Sequence, residues 1–215
     1  MRITSIDVGL KTISLSQENY NMKDFKPLKK NEKYELNGVA SKVMNDMINK
    51  ISMCGDVEYL DKQDLGSKLD YFAGRSFHSL YSWLKVLDED GVWKKSDIIL
   101  IEQQMLVNRI ASTLMNHLHA WLLIHYPSKN IILYPSKNKT RILGMSLKCE
   151  HKVSKKIVRV TKYQRKKWSI DQMKVFLTNR KDDWSLNYIF VENKNKKDDL
   201  CDTLLQSLSY IVSLY

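Results

Sequence analysis

The chain has 215 residues, of which 43% are apolar, seven are glycine and three are proline, a composition that suits one globular domain and excludes disordered and collagen-like chains. No apolar run is long enough to span a membrane and no signal-peptide pattern is visible, so we expect an intracellular protein without a membrane partner. Three scattered cysteines, without a CxxC pair, exclude a disulfide framework and fit a reducing compartment.

The net charge of +11 is concentrated in one part of the chain. Residues 129–181 contain 16 basic and two acidic side chains, a net charge of +14, whereas the rest of the chain carries −3. Such a run can be a solvated face, but its density is also typical of a surface that follows a phosphate backbone. Composition therefore favours nucleic acid as the partner of this basic region.

The first two strands are predicted to form a hairpin. Residues 2–7 alternate between apolar and polar side chains and end at an acid, a glycine-containing turn follows, and residues 11–16 alternate again. A third strand is predicted over residues 33–36. Residues 37–66 are weakly patterned, and we interpret them as an insertion.

The rest of the chain alternates between helical and strand-like patterns. The predicted elements are, in chain order, a helix over 67–88, a buried strand over 96–101, a helix over 107–125, a strand over 130–134, and helices over 169–177 and 198–214. This order predicts an α/β protein whose mixed sheet, with an antiparallel hairpin followed by parallel strands, is flanked by helices. It is the element order of the ribonuclease H-like fold.

Acidic residues stand at the ends of two apolar strands and on one face of the last helix. Asp7 and Glu102 follow the strands, and Asp199 and Asp202 are one helical turn apart. Each has a structural alternative, as a turn former or as a helix-start acid favoured by the dipole. Together, however, four hard carboxylates favour Mg²⁺ or Mn²⁺. Two such ions can hydrolyse a phosphodiester.

Three motifs carry a specific resemblance. They resemble the acidic motifs of RuvC-like Holliday junction resolvases, and they are residues 5–11 (Ser-Ile-Asp-Val-Gly-Leu-Lys), 101–104 (Ile-Glu-Gln-Gln) and 196–206 (with Asp-Asp-Leu-Cys-Asp). The Ile-Glu-Gln-Gln form and the single-domain length are most similar to the poxvirus-type branch. The resemblance runs from residue 3 to about residue 212. Only residues 20–66 lack a counterpart, which marks them as a family-variable hairpin or insertion.

The resemblance implies a homodimeric, magnesium-dependent endonuclease, one domain over residues 1–215, that cuts four-way DNA junctions by paired symmetric nicks. It implies two Mg²⁺ ions per active site, replaceable by Mn²⁺, no small-molecule cofactor, and DNA held by residues 129–181. A viral member would act where viral DNA replicates. The implied metal ligands are Asp7, Glu102, Asp199 and Asp202, with Asp198 as an alternative to Asp199, and the implied catalytic lysine is Lys167, with Lys166 or Lys139 as alternatives.

Two other functions stay open: a ribonuclease H-type nuclease, and a branched-DNA-binding protein without catalysis. The intact acids argue against the second, and the late Asp-x-x-Asp motif after a basic region argues against the first. The predicted dimer seam is the helix over 107–125, with Leu114, Leu118 and Trp121 as contact residues, although a plain core role is the alternative for each.

Overall fold

The structure is a computed structural model that describes residues 1–22, 25–146, 148–150 and 157–215. The elements are, in chain order, β1 (Arg2–Val8), β2 (Thr12–Tyr20), α1 (Lys30–Lys33), α2 (Lys42–Ser52), β3 (Gly55–Asp64), α3 (Lys68–Phe72), α4 (Arg75–Glu89), α5 (Val92–Lys95), β4 (Ile98–Gln103), α6 (Arg109–His125), β5 (Asn130–Pro135), α7 (Lys137–Ile142), β6 (Lys148–Glu150), β7 (Ile157–Arg159), α8 (Lys162–Arg180), α9 (Asp183–Asn187), a π-helical turn (Tyr188–Glu192), a 3-10 turn (Lys194–Lys196) and α10 (Lys197–Ser213).

The five main strands form one mixed sheet in the order β3-β2-β1-β4-β5. The pairs β1–β2 and β2–β3 are antiparallel, while β4 lies parallel to β1 and β5 lies parallel to β4. This sheet confirms the predicted fold class. A separate antiparallel ribbon, β6–β7, lies within the basic region, and the part of that region at residue 147 and over 151–156 lies outside the described residues.

Helices cover both faces of the sheet, and the strands alternate between two cores. Ile6 and Ile101 point into the core formed with α4 and α6, whereas Ile3 and Leu100 point into the core formed with α2, α8 and α10. Among the described residues, none of the helices is long and apolar enough to cross a membrane.

Helix α10 packs directly across β1 and β2 over a surface of small side chains. Ser5, Ser14 and Ser16 are buried on the face of the hairpin that α10 covers. Side chains of this size let the helix backbone approach the strands closely. The first turns of α10 therefore lie beside the ends of β1 and β2 where Asp7 and Thr12 stand.

The predicted third strand over 33–36 is wrong. Lys33 is the last residue of the short α1, and the residues after it contribute only an isolated bridge between Tyr34 and Ala40. The third strand of the sheet is β3, which lies within the segment 20–66, where Val57 and Leu60 are buried in the core. Its acidic and polar residues masked the alternation, because an edge strand buries little of its surface. That segment 20–66 varies within a family stays a prediction.

Two predicted helices have different bounds in the structure. The helix over 67–88 is divided into α3 and α4 at Gly74, whose positive φ of +79° interrupts the helix. The helix over 169–177 begins much earlier, at Lys162. Thr161 caps it, because its hydroxyl accepts a hydrogen bond from the Gln164 N–H at 3.2 Å.

A buried ion pair anchors the C-terminal end of α8. Arg180 Nη1 donates to Glu18 Oε1 at 2.9 Å, and Arg180 Nε donates to the carbonyl of Ser52. The Glu18 side chain is completely buried. Burial raises the pKa of Glu18, and the guanidinium of Arg180 opposes this shift. Removing either partner would leave a buried, unpaired charge, at a cost of about 3–5 kcal/mol.

Two of the three residues predicted for the dimer seam on α6 lie in the interior of the protein. That α6 contributes to a dimer stays a prediction. Leu114 and Leu118 are 0% exposed and belong to the core between α6 and the sheet, while Trp121 is half-buried and stacks on His125. The two leucines therefore fill the interior of the monomer and cannot meet a second copy. The plain core role, which was the alternative for each, is the correct one for both.

We expect Leu118→Glu to unfold the protein and not merely to separate a dimer. A carboxylate without a partner in this core should lower the free energy of unfolding by at least about 3 kcal/mol. Leu123→Glu is the matched control, because Leu123 is on the same helix and 48% exposed. It should shift the urea midpoint little. Equal midpoints for the two variants would contradict the packing of α6.

Candidate active site

Two strand ends bring the first pair of acids together. Ile6 and Ile101 are paired in the parallel register of β1 and β4, so Asp7 and Glu102 each follow by one residue at the same edge of the sheet. Because side chains alternate, both acids face the α10 layer. After Asp7 the chain turns tightly: the Gly9 N–H donates to the Thr12 carbonyl at 2.8 Å. A Cβ on Gly9 would be only 2.9 Å from that oxygen.

The acids of α10 lie above this edge and have different neighbours. Asp202 Oδ2 is 3.2 Å from Lys139 Nζ, on the side of Glu102. Asp199 Oδ2 accepts a hydrogen bond from the Thr12 hydroxyl at 3.1 Å, which ties it to the β1–β2 hairpin. Asp198 is ion-paired with Lys166 of α8. The three acids of α10 therefore contact three different parts of the protein: Lys139 beside the sheet edge, the β1–β2 hairpin, and α8.

Lys139 lies at the centre of the acidic cluster. Its Nζ is 2.9 Å from Glu102 Oε2 and 3.2 Å from Asp202 Oδ2, and the residue is only 5% exposed. The position follows from the topology: β5 is parallel to β4, so the chain leaves both strands at the same edge and continues there into α7. Of the lysines considered in the sequence, Lys139 is the one that the structure places among the strand-end acids.

The charges of the cluster act strongly on one another. Burial and the neighbouring carboxylates of Glu102 and Asp202 hold the pKa of Asp7 well above its ordinary value, against the opposing effect of Lys139. Burial also favours a raised pKa for Glu102, but the Lys139 ammonium outweighs it and lowers that pKa. Burial opposes the charge of Lys139, yet Asp202 and Glu102 more than compensate and raise its pKa. Negative charge therefore exceeds positive charge at this edge.

A cleft opens from the acids toward α8. Glu102, Lys139 and Asp202 form one end of its lining. Helix α8 contributes a basic wall of Lys162, Arg165 and Lys166. The loop after β4 contributes Met105 and Asn108. Basic side chains and the carboxylates of Glu102 and Asp202 therefore line the same cleft.

Lys167 does not lie in this cleft. It is exposed on another face of α8, where it lines a separate groove with Trp168 and Asp171. Sequence reasoning placed Lys167 just ahead of a helix, but α8 already begins at Lys162, and one residue along a helix turns a side chain by about 100°. The structure therefore brings Lys166 and Lys139 to the acids and leaves Lys167 outside.

The carboxylates suit hard divalent cations by their chemistry. Asp7, Glu102 and Asp202 offer oxygen donors, and a cation beside them would favour the ionised form of Asp7, whose pKa is raised by burial and by the neighbouring carboxylates. Over the described ranges, no three His, Cys, Asp or Glu side chains are placed so that they could hold a metal ion as they stand. Lys139 is in contact with two of these three acids instead.

Two further polar residues of the site were not predicted as site residues. Thr12 contacts Asp199, and Gln104 Nε2 lies 3.5 Å from Asp7 Oδ1. The signal for Gln104 was the repeated glutamine that follows Glu102. Thr12 could be found only through the hairpin, because its role depends on α10, nearly 190 residues later in the chain.

The fold is similar to solved structures of Holliday junction resolvases. The fowlpox virus resolvase, in complex with substrate Holliday junction DNA, superposes with a TM-score of 0.55 at 16% sequence identity, over 100% of this chain and 99% of that chain. Thermus thermophilus RuvC, in complex with a Holliday junction substrate, gives a TM-score of 0.54 at 9% identity, over 100% and 95%. No family model and no curated protein sequence matches the chain. The likeness establishes a RuvC-like, ribonuclease H-like fold.

Proposed function

We propose that the protein is a structure-selective DNA endonuclease that resolves four-way junctions. The observation that carries this proposal is the meeting of Asp7, Glu102 and Asp202 at one sheet edge, beside a basic cleft. The likeness of the whole chain to two resolvases, both named with Holliday junction DNA, supports the same substrate. The substrate is therefore the first part of the proposal to test.

In this proposal the acids hold divalent cations, with Mg²⁺ as the proposed ion and Mn²⁺ as a substitute. The proposed ligands are Asp7, Glu102, Asp202 and Asp199, with Asp198 as the alternative to Asp199. When bound, two such cations would activate water and stabilise the leaving oxygen of the phosphodiester. Thr12 would orient the Asp199 carboxylate through the hydrogen bond it donates.

The basic residues have two proposed tasks. Lys162 and Arg165 would contact phosphates of the junction arms and so position the DNA without reading its sequence. Lys166, at the mouth of the cleft and already paired with Asp198, would offset the negative charge that develops on the phosphate. Lys166 thereby replaces Lys167 as the catalytic lysine that we propose on α8.

Paired nicks require two active sites. One cleft cuts one strand, whereas a two-fold dimer would match the symmetry of an open junction, so we propose that the active species is a homodimer. Because Leu114 and Leu118 are buried, its contacts must come from other residues. Equilibrium sedimentation of the free protein tests this part of the proposal.

We expect Mg²⁺-dependent cleavage of a labelled four-way junction, with little cleavage of linear duplex or of RNA–DNA hybrid. Asp7→Asn, Glu102→Gln and Asp202→Asn should each lower the cleavage rate by at least about 10³-fold and leave junction binding intact, because a carboxamide keeps the shape but binds hard cations poorly. Asp46→Asn, in an exposed position on α2, is the control.

Preferred cleavage of RNA–DNA hybrid would identify a ribonuclease H-type enzyme instead. Junction binding without cleavage under any divalent cation would identify a binding protein. Within the same assay, Asp199→Asn should be more harmful than Asp198→Asn, and equal rates would leave neither assigned.

Lys166 and Lys167 form a matched pair of neighbours on one helix. Lys166→Ala should slow single-turnover cleavage of bound junction by about 10²-fold, since an electrostatic contact to the transition state is lost. Lys167→Ala should leave this rate nearly unchanged, because its side chain lines the other groove. The opposite order of effects would return the catalytic role to Lys167.

Junction binding should depend steeply on salt. A protein that makes six to ten phosphate contacts loses about 10³–10⁵-fold in affinity between 50 and 200 mM salt. Replacing Lys162 and Arg165 by alanine should reduce the slope of log K against log[salt] by about two. Lys94→Ala, which removes an exposed lysine outside the cleft, should leave the slope unchanged. A flat dependence in the wild-type protein would mean that the basic region is only a solvated face.

A further inference from the structure

Among the residues that the structure describes, Lys139 is paired in a way that no other lysine of the cleft shares. Its ammonium contacts carboxylates from two different elements, Glu102 at the end of β4 and Asp202 on α10, at 2.9 and 3.2 Å. Lys166 contacts Asp198 and is 42% exposed at its side chain, whereas the Lys139 side chain is 6% exposed. Lys139 thus joins the sheet edge to α10 inside the protein.

This contact has an electrostatic consequence. Carboxylates that converge in a poorly solvated place repel one another unless a cation lies among them. In the structure that cation is the Lys139 ammonium, which contacts both Glu102 and Asp202. An ammonium and a divalent cation that both contact these carboxylates repel each other, because both are positive.

We propose that Lys139 is a built-in counter-ion that holds Glu102 and Asp202 in the metal-free protein, and that a divalent cation binds by displacing it. The inference rests on the proposed function in taking these two acids as metal ligands. It goes further because it states that Lys139 and the metal ion compete for the same two carboxylates. Each contact of Lys139 that stabilises the metal-free protein therefore weakens metal binding.

The same competition links metal to DNA. Once displaced, the Lys139 ammonium stays tethered to α7 at the wall of the cleft, where a phosphate can become its new partner. Phosphate binding then favours the displaced state, and through it the bound metal. DNA and metal should therefore increase each other's affinity by the same factor.

The test uses the full-length protein without DNA and Mn²⁺ as the probe. Lys139→Met removes the charge but keeps the length of the buried stem, and Lys137→Met, at an exposed position of the same helix, is the control. Electron paramagnetic resonance of free Mn²⁺ measures the affinity. We expect Lys139→Met to bind Mn²⁺ at least about tenfold more tightly than wild type, and Lys137→Met to match wild type.

Thermal unfolding provides the second readout. In chelator, Lys139→Met should melt at a lower temperature than wild type, and Mn²⁺ should raise its melting temperature more than that of wild type. Folding that requires Mn²⁺ would support the proposal in its strongest form. Equal or weaker Mn²⁺ affinity in a folded Lys139→Met protein would overturn it.

A wild-type measurement decides the question if Lys139→Met does not fold in either condition. Reductive methylation followed by mass spectrometry should label Lys139 weakly in chelator and several-fold more strongly with Mn²⁺, and unchanged labelling would overturn the proposal. Cleavage assays are not part of this test. A protein that shows the exchange but cuts no junction would refute the proposed function alone, and an active nuclease without the exchange would refute the inference alone.

Discussion

The close packing of α10 on the β1–β2 hairpin is the constraint on which the site depends. Three buried serines keep the helix near the strands, and this distance brings Asp199 to Thr12 and Asp202 toward Glu102. In the described part of the chain, the hydroxyls of Ser5, Ser14 and Ser16 have no hydrogen-bond partner. Buried hydroxyls of this kind cost about 1–3 kcal/mol each, so a short helix–sheet distance is obtained at the expense of stability.

Because α10 lies so close to the strands, the acids of the site repel one another and need positive charge nearby. Acids from β1, β4 and α10 converge, and the fold supplies basic groups from the two elements that border them, Lys139 from α7 and Lys166 from α8. The two lysines differ in burial, and this difference separates their proposed roles. The enclosed one neutralises the acids, while the accessible one faces the substrate.

Much of the fold could be predicted because strong local patterns coincide with the core. The β1–β2 hairpin, β4, α6, β5 and α10 are recognised from alternation or from helical spacing, and the first and last of these carry Asp7 and Asp202. The edge strand β3 was missed, since its side chains are mostly polar. The start of α8 was missed too. The capping box at Thr161 marks it, but the residues that follow have no apolar stripe to indicate a helix.

The choice among lysines could not be made from spacing. The three candidates, Lys139, Lys166 and Lys167, are all lysines of the same basic region. Only the parallel register of β4 and β5 and the true start of α8 distinguish them. Similarly, the apolar side chains of α6 suggested a surface that meets another copy, yet Leu118 serves the monomer's own core. Helical periodicity identifies an apolar face but not what covers it.

The ion pair between Arg180 and Glu18 makes α8 a rod that is fixed at one end. The helix runs for about 27 Å from the basic wall of the cleft to this pair. To slide along its axis, α8 would have to separate two buried charges, and nearer its N-terminal end it makes the more exposed contact of Lys166 with Asp198. The helix also fixes the spacing of its basic side chains, because Lys162, Arg165 and Lys166 all stand on it. In the proposed function, this fixed spacing would match phosphates that lie a constant distance apart along a DNA arm.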